Sequence, residues 1–504
     1  MNACEASLPQ RPEPCERDLR ASMGLRETIS RYRQTLLTVG IITLLIGSGY
    51  VVRVWVFRYT APIRFVYDLD SAWSNGTRAL DRGEGDFFGG IITAYEPWHS
   101  RSGSVNYPPL RMYIKTAWVW YIKHRWGPDV HRSDAVMYPM LAVNFTFELL
   151  GALGMYRLCR LFRGRGLSCA AACCLWFNPA LIFNTFGWTQ WDAWVIAPAV
   201  WATWAVLRPG RFSEVLKADL FAGACLGVGT MLKGQILFVA VWFFLVVIGL
   251  SFLDPASFGT TVCVCPSRRL RLQQAAARST MLMAGFVVAV SIIVLPLALH
   301  GSARWLSIYR REVSGVLPMS VGAWNLPAFL ACRYGWASDS IQKISLLGFT
   351  LALSTMQWLK YLFFVWFVLI TLLSLRARKH PEVLLTIGAI FAATFAVLPG
   401  MHERYALWAA AFLAVSVCVR PAAVFLYAMI TGLALACPLS VCIRRNITFA
   451  PGLQSFFDSS AATLSLLWLM GAMALTMLLA HVPPSEGFRP SDSQTPVLEP
   501  HSRE

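Results

Sequence analysis

The chain is a succession of long apolar runs separated by short polar joins. A bilayer crossing needs about 20 apolar residues, fewer where a helix is shielded inside a bundle, and about twelve runs qualify. They lie at 35–57, 135–156, 167–186, 191–207, 219–232, 236–253, 281–299, 358–375, 383–398, 406–419, 422–441 and 462–480. The stretch 341–355 fits either an extra span or a helix lying along the surface. The expected fold is all-α: a polytopic transmembrane helix bundle over 35–482, whose long first outer loop, 58–134, contains interfacial helices. The polar ends, 1–34 and 483–504, are expected to be disordered cytoplasmic tails, the first of them basic.

Composition agrees with a membrane class. Apolar residues make up 56% of the 504 and charged residues 14%, against roughly 25% charged in soluble domains. The net charge of +17 would point to nucleic acid in a soluble protein. Here the basic residues sit in clusters between apolar runs, so they read as topology determinants with anionic membrane lipids as partners and no nucleic acid. With a cytoplasmic N-terminus, the clusters at 157–165, 208–217, 268–278 and 376–379 and Arg420 all fall inside, as the positive-inside bias requires. That count holds only if 113–123 does not cross. The segment interleaves Lys115 and Lys123 with Trp118, Trp120 and Tyr121 and predicts an interfacial amphipathic helix. The 13 cysteines show no metal spacing and read as small packing residues.

The same count puts the unusual polar residues on the outer face. Asp68 and Asp70 follow the first span at i, i+2; one of them can serve as a general base toward an acceptor hydroxyl, or the pair can begin a helix at 72–80. Asn106, Tyr107, Pro108, Pro109 and Leu110 end the outer loop and start a helix at a fixed place. Asn178-Pro179 and then Gly187 to Trp194 put Gln190, Asp192 and three indoles, Trp188 among them, at a helix corner. Such a set suits a sugar pocket or an interfacial tryptophan belt. Lys233, between two apolar runs, needs an anion, which Asp192 or a lipid phosphate can supply, or else snorkels to the surface. His402, Glu403 and Arg404 crowd one join, where Arg404 suits phosphate and Glu403 can pair with it. The 300–325 loop adds Tyr309, Arg310, Arg311 and Glu312, then Gly322 to Asn325. No nucleotide-binding glycine loop or zinc motif is present.

In this order, Asn106-Tyr107-Pro108-Pro109-Leu110, Asn178-Pro179, Gly187-x-x-Gln190-x-Asp192, Lys233-Gly234-Gln235 and Met401-His402-Glu403-Arg404-Tyr405 resemble the motifs of polytopic GT-C glycosyltransferases. The likeness is closest to bacterial mannosyltransferase-like members and more distant to the endoplasmic-reticulum enzymes that use dolichyl-phosphate glucose or mannose. It covers roughly residues 58 to 405. The resemblance implies inverting transfer of a hexose from a polyprenyl-phosphate sugar donor to a glycan or glycolipid acceptor on the non-cytoplasmic face, with no metal and no cofactor. It implies a catalytic carboxylate in the first outer loop, Asp70 or Asp68, with Asp70 preferred because Asp68 lies closer to the first span. Lys233, His402 and Arg404 are then expected to bind the donor phosphate, and Gln190, Asp192, Trp188, Tyr107 and Glu403 the sugar or acceptor. The expected site is a bacterial plasma membrane, with the endoplasmic reticulum as the alternative. A transporter or lipid flippase is the competing class; it predicts two-fold internal repeats, and the hydropathy order has none.

Overall fold

The computed structural model describes residues 14–64, 67–95, 107–127, 134–253, 268–301, 304–306, 322–346, 349–378, 380–446 and 450–481. The chain divides into two compact units, 1–55 and 56–504. In the first, the described residues belong to one long helix, α1 (Pro14–Tyr59), which runs on into the second unit. Residues 14–34 are therefore helical where a disordered tail is expected; beyond Pro14 there is no helix breaker except Gly24, and Leu19, Ala21, Met23, Leu25 and Glu27 are strong helix formers. The expected tail residues 1–13 and 483–504 lie outside the described residues.

The second unit is an all-helical bundle with one small hairpin. Its helices are α2 (Tyr67–Gly83), α3 (Phe87–Ala94), α4 (Pro109–Trp126), α5 (Tyr138–Cys159), α6 (Arg165–Trp176), α7 (Pro179–Ile182), α8 (Ile196–Leu207), α9 (Phe212–Leu232), α10 (Ile236–Leu253) and α11 (Arg268–Leu299). After these come α12 (Leu326–Tyr334), α13 (Thr355–Arg376), α14 (Thr386–Val397), α15 (Ala406–Phe412), α16 (Pro421–Arg445) and α17 (Pro451–Ala480). Among the described residues of the whole chain, nine helices are long and apolar enough to cross a membrane.

The other three expected spans form shorter helices. All of α14 and α15 is buried, while α8 leaves Trp201, Trp204 and Leu207 partly exposed along one face. A helix without a polar face belongs in the middle of a bundle, where its length need not match the bilayer. Helices α9 and α11 cross at backbone contact. A Cβ on Gly223 would lie 1.9 Å from the Leu282 carbonyl oxygen, and one on Gly285 would lie 1.9 Å from that of Leu220.

One expectation is corrected outright. The stretch 341–355 is neither a span nor a surface helix; Ile341–Leu346 (β1) and Phe349–Ser354 (β2) pair as an antiparallel hairpin. Short apolar runs do not separate strand from helix by periodicity alone. Ser354 then ends the hairpin with a capping box, its hydroxyl accepting from Gln357 N while Gln357 accepts from Ser354 N.

Candidate functional site

Five distant pieces of sequence meet around one carboxylate, Asp192. Its position is set by the corner between α7 and α8. Asn178 starts this corner, its side chain accepting from Leu181 N at 3.1 Å with Pro179 at the first helical position. One turn of π-helix follows over Phe183–Gly187, closed by Trp188 N donating to the Phe183 carbonyl at 2.7 Å. Thr189 then adopts φ +56°, which costs a β-branched residue energy and turns the chain sharply. Asn144 of α5 holds the corner: its amide donates to the carbonyls of Thr185 and Gln190, both at 2.9 Å, and its oxygen accepts from Trp194 Nε1 at 2.6 Å. Asn144 is wholly buried, so the Asn144-Phe145-Thr146 sequon is not a glycan acceptor in this fold.

Asp192 is fully buried and surrounded by cations. Lys233 Nζ donates to Oδ1 at 3.0 Å, and Arg404 Nε lies 2.9 Å from Oδ2 as a close ion contact without hydrogen-bond alignment. Arg111 Nη1 stands 3.7 Å from Oδ1. Trp408 Nε1 donates to the Asp192 backbone carbonyl at 2.8 Å. Lys233 reaches it because the chain becomes extended there, ending α9 before α10 begins at Ile236.

Arg404 links this centre to α2, which follows the first long apolar helix. Its Nη1 donates to Asp68 Oδ2 at 2.9 Å and lies 3.7 Å from Glu403 Oε1. The join that carries it is shaped by Gly400 at φ +72° and by a strand-like pairing of His402 with Gly322. Burial pushes the Glu403 carboxyl up to about 7, against the opposing pull of Arg404. His402 is a third exposed, its Nδ1 is 3.9 Å from Glu403, and burial followed by repulsion from Arg404 holds it below the usual imidazole range. It is therefore a neutral hydrogen-bonding group at neutral pH, and the cationic part of the expected phosphate set reduces to Lys233 and Arg404.

Asp68 and Asp70 both fall in the first turn of α2, so neither is a cap outside the helix. Two residues along a helix point to different faces. Asp68 is buried and paired with Arg404; among the described residues Asp70 makes no ion pair or hydrogen bond and is half-buried. Helix α2 is brought against α4 at Gly76, where a Cβ would meet Val119 Cγ2 at 2.6 Å.

Helix α4 contributes two residues that the sequence reading did not assign to the site. Pro109 starts the helix, and Arg111 and Lys115, one turn apart, are both buried. Lys115 Nζ sits 3.3 Å from the Tyr107 ring centroid and 4.6 Å from that of Trp191; Arg111 Cζ is 4.2 and 5.0 Å from the same rings. The segment 113–123 is helical, with Trp120 and Tyr121 exposed, but the Lys115 side chain does not snorkel to a surface. Lys123 does, pairing with the exposed Asp81 at 3.0 Å. The readable signal was Arg111 and Lys115 at i, i+4 directly after a proline pair.

Of the remaining expected residues, Trp188 is buried with its ring 5.9 Å from Arg404 Cζ, and Gln190 is buried with no hydrogen bond to its Oε1 among the described residues. Tyr107 fixes the base of α4, its carbonyl accepting from Tyr95 Oη at 2.8 Å. Tyr405 stacks on Trp408 at 4.7 Å, with Lys233 Nζ 4.4 Å from its ring. Asn106 and the cluster Tyr309, Arg310, Arg311 and Glu312 lie outside the described residues.

By its helices the chain is a multi-pass membrane protein with a buried polar centre. No family model matches the chain, and no curated protein matches it.

Proposed function

We propose that this protein is an integral membrane glycosyltransferase. In this reading it transfers a hexose, mannose or glucose, from a polyprenyl-phosphate donor to a lipid-linked or cell-surface glycan on the non-cytoplasmic face, with inversion. A bacterial plasma membrane is the setting that best suits the resemblance. The observation that carries the reading is the convergence on Asp192: Lys233 and Arg404 both pair with it, and Arg404 reaches on to Asp68. Residues 68, 192, 233 and 404 belong to separate elements, and burying so many charges together costs stability. A scaffold gains nothing from that arrangement, whereas a site that must stabilise charge in a transition state does.

The chemistry is an in-line displacement. The acceptor hydroxyl gives its proton to a carboxylate as its oxygen bonds to the anomeric carbon. The bond from that carbon to the phosphate oxygen breaks, and its electron pair leaves on the phosphate. Asp68 is favoured over Asp70 as the base because it is the one in reach of the cluster, paired with Arg404 at 2.9 Å. Lys233 and Arg404 oppose the charge that develops on the leaving phosphate, and neutral His402 can donate a hydrogen bond to it. Glu403, Gln190, Trp188 and Tyr107 are assigned to the sugar and acceptor, with indole and phenol faces under C–H bonds.

The test is hexose transfer from a labelled polyprenyl-phosphate hexose in membranes carrying the full chain. Asp68→Asn is expected to lower the rate by roughly 100-fold or more, within the range for removing a general base, while Asp70→Asn stays within a few-fold of the parent. Full activity in both variants, or movement of the labelled lipid across the bilayer without its consumption, sinks the proposal; the second result would favour a flippase.

A further inference from the structure

Two cations of the Asp192 cluster are left over after the charges are paired. Lys233 and Arg404 each meet a carboxylate within 3.0 Å. Arg111 has only the 3.7 Å contact to Asp192, and its Nε and Nη2 make no hydrogen bond among the described residues. Lys115 Nζ makes none either, although the residue is wholly buried. Buried donors are nearly always satisfied, so unpaired ones in a folded protein mark a place where a partner is missing.

We infer that Arg111 and Lys115 form an anion site that takes the phosphate group of a lipid-carried phosphate ester. Their spacing of one helical turn puts both on the same face of α4. The rings of Tyr107 and Trp191 approach both cations, holding them in place without using a lone pair. A guanidinium with two nitrogens that make no hydrogen bond among the described residues, beside a lysine amine, offers several donors to one anionic group, and the charged oxygens of a phosphate ester accept them. Burial, and then the nearby Arg111, drives the Lys115 ammonium down toward its neutral form, with Asp68, Lys233 and Asp192 as its other charged neighbours; an arriving anion relieves that strain. The lipid carrier rests on the transferase reading above. The anion site does not.

The experiment uses the full chain purified in an uncharged detergent, with dodecyl phosphate and inorganic phosphate as probes, read by tryptophan fluorescence and by melting. Saturable binding of dodecyl phosphate is expected. Lys115→Met and Arg111→Gln should each weaken it by roughly tenfold or more, the loss expected for a hydrogen bond to a charged group, with Lys115→Arg restoring most of it. If inorganic phosphate displaces the probe, the headgroup alone is recognised; if it does not, the alkyl chain contributes and the ligand is a lipid. Without ligand, Lys115→Met should melt at or above the parent temperature, because a buried amine that makes no hydrogen bond among the described residues has been replaced by an apolar chain. A drop in melting temperature would assign Lys115 a structural role. That result, the absence of binding in the parent, or undiminished binding in Lys115→Met overturns the inference. Anion binding in a protein that transfers no sugar leaves the site standing and removes the transferase. Sugar transfer with no anion binding does the reverse.

Discussion

The molecule holds two buried ion networks of opposite character. Between α9 and α11, Arg278 Nε and Nη2 donate to the two oxygens of Asp219 at 2.7 and 2.9 Å, and neither side chain is exposed. One cation faces one carboxylate, in bidentate geometry, where glycines bring two helices into backbone contact. Around Asp192 the charges do not balance: Arg111, Lys115, Lys233 and Arg404 face Asp68, Asp192 and a Glu403 carboxyl pushed up to about 7. The first network is closed in charge, one cation against one carboxylate, and joins two helices. The second carries more basic groups than carboxylates, as a site for an added anion would.

That contrast can be broken at its closed end first. Asp219→Ala leaves Arg278 buried without its carboxylate and should destabilise the protein by about 3–5 kcal/mol, read as a fall in melting temperature, while transfer per folded molecule stays near the parent value. At the open end, Glu403→Gln tests the charge imbalance through pH. Because the folded carboxyl titrates at about 7, above its ordinary value of 4.5, its contribution to stability is complete below about 4.5 and is lost as pH rises through 7. Glu403→Gln should flatten that decline, gaining on the order of 1–3 kcal/mol relative to the parent above pH 8, as measured by melting across pH 5 to 9. The smallest effect is expected at the exposed pair Arg444–Asp458, 2.5 Å apart. Arg444→Ala should cost under about 1 kcal/mol, since water screens both charges. A loss as large as that of Asp219→Ala would mean that burial does not govern these pairs.

How far the sequence speaks depends on which physical signal a residue carries. Apolar length marks the nine long helices, and the need of an intramembrane charge for a partner names Asp192 as one of the alternatives for Lys233, the one with which it pairs. Asp68 and Arg404 are each identifiable as unusual, but 336 residues separate them and no local pattern links them. Arg111 and Lys115 escape notice because basic residues among aromatics also describe a helix at a membrane surface; only burial distinguishes the two. The hairpin at Ile341–Ser354 is hidden for a different reason, since two runs of six residues are too short for periodicity to separate strand from helix. Asn144 carries no sequence signal beyond a sequon, yet its buried amide holds the corner that presents Asp192.

The central claim is that the open network performs sugar transfer and the closed one does not. It is tested most directly by reconstituting the parent, Asp68→Asn and Asp219→Asn in liposomes with a polyprenyl-phosphate hexose, and by measuring transfer per folded molecule. Asp68→Asn should fold, because Arg404 retains Asp192, and should transfer at roughly one hundredth of the parent rate or less. Asp219→Asn should be less stable yet transfer normally once folded. Parent-level transfer by a folded Asp68→Asn protein, or no transfer by the parent itself, would contradict the account.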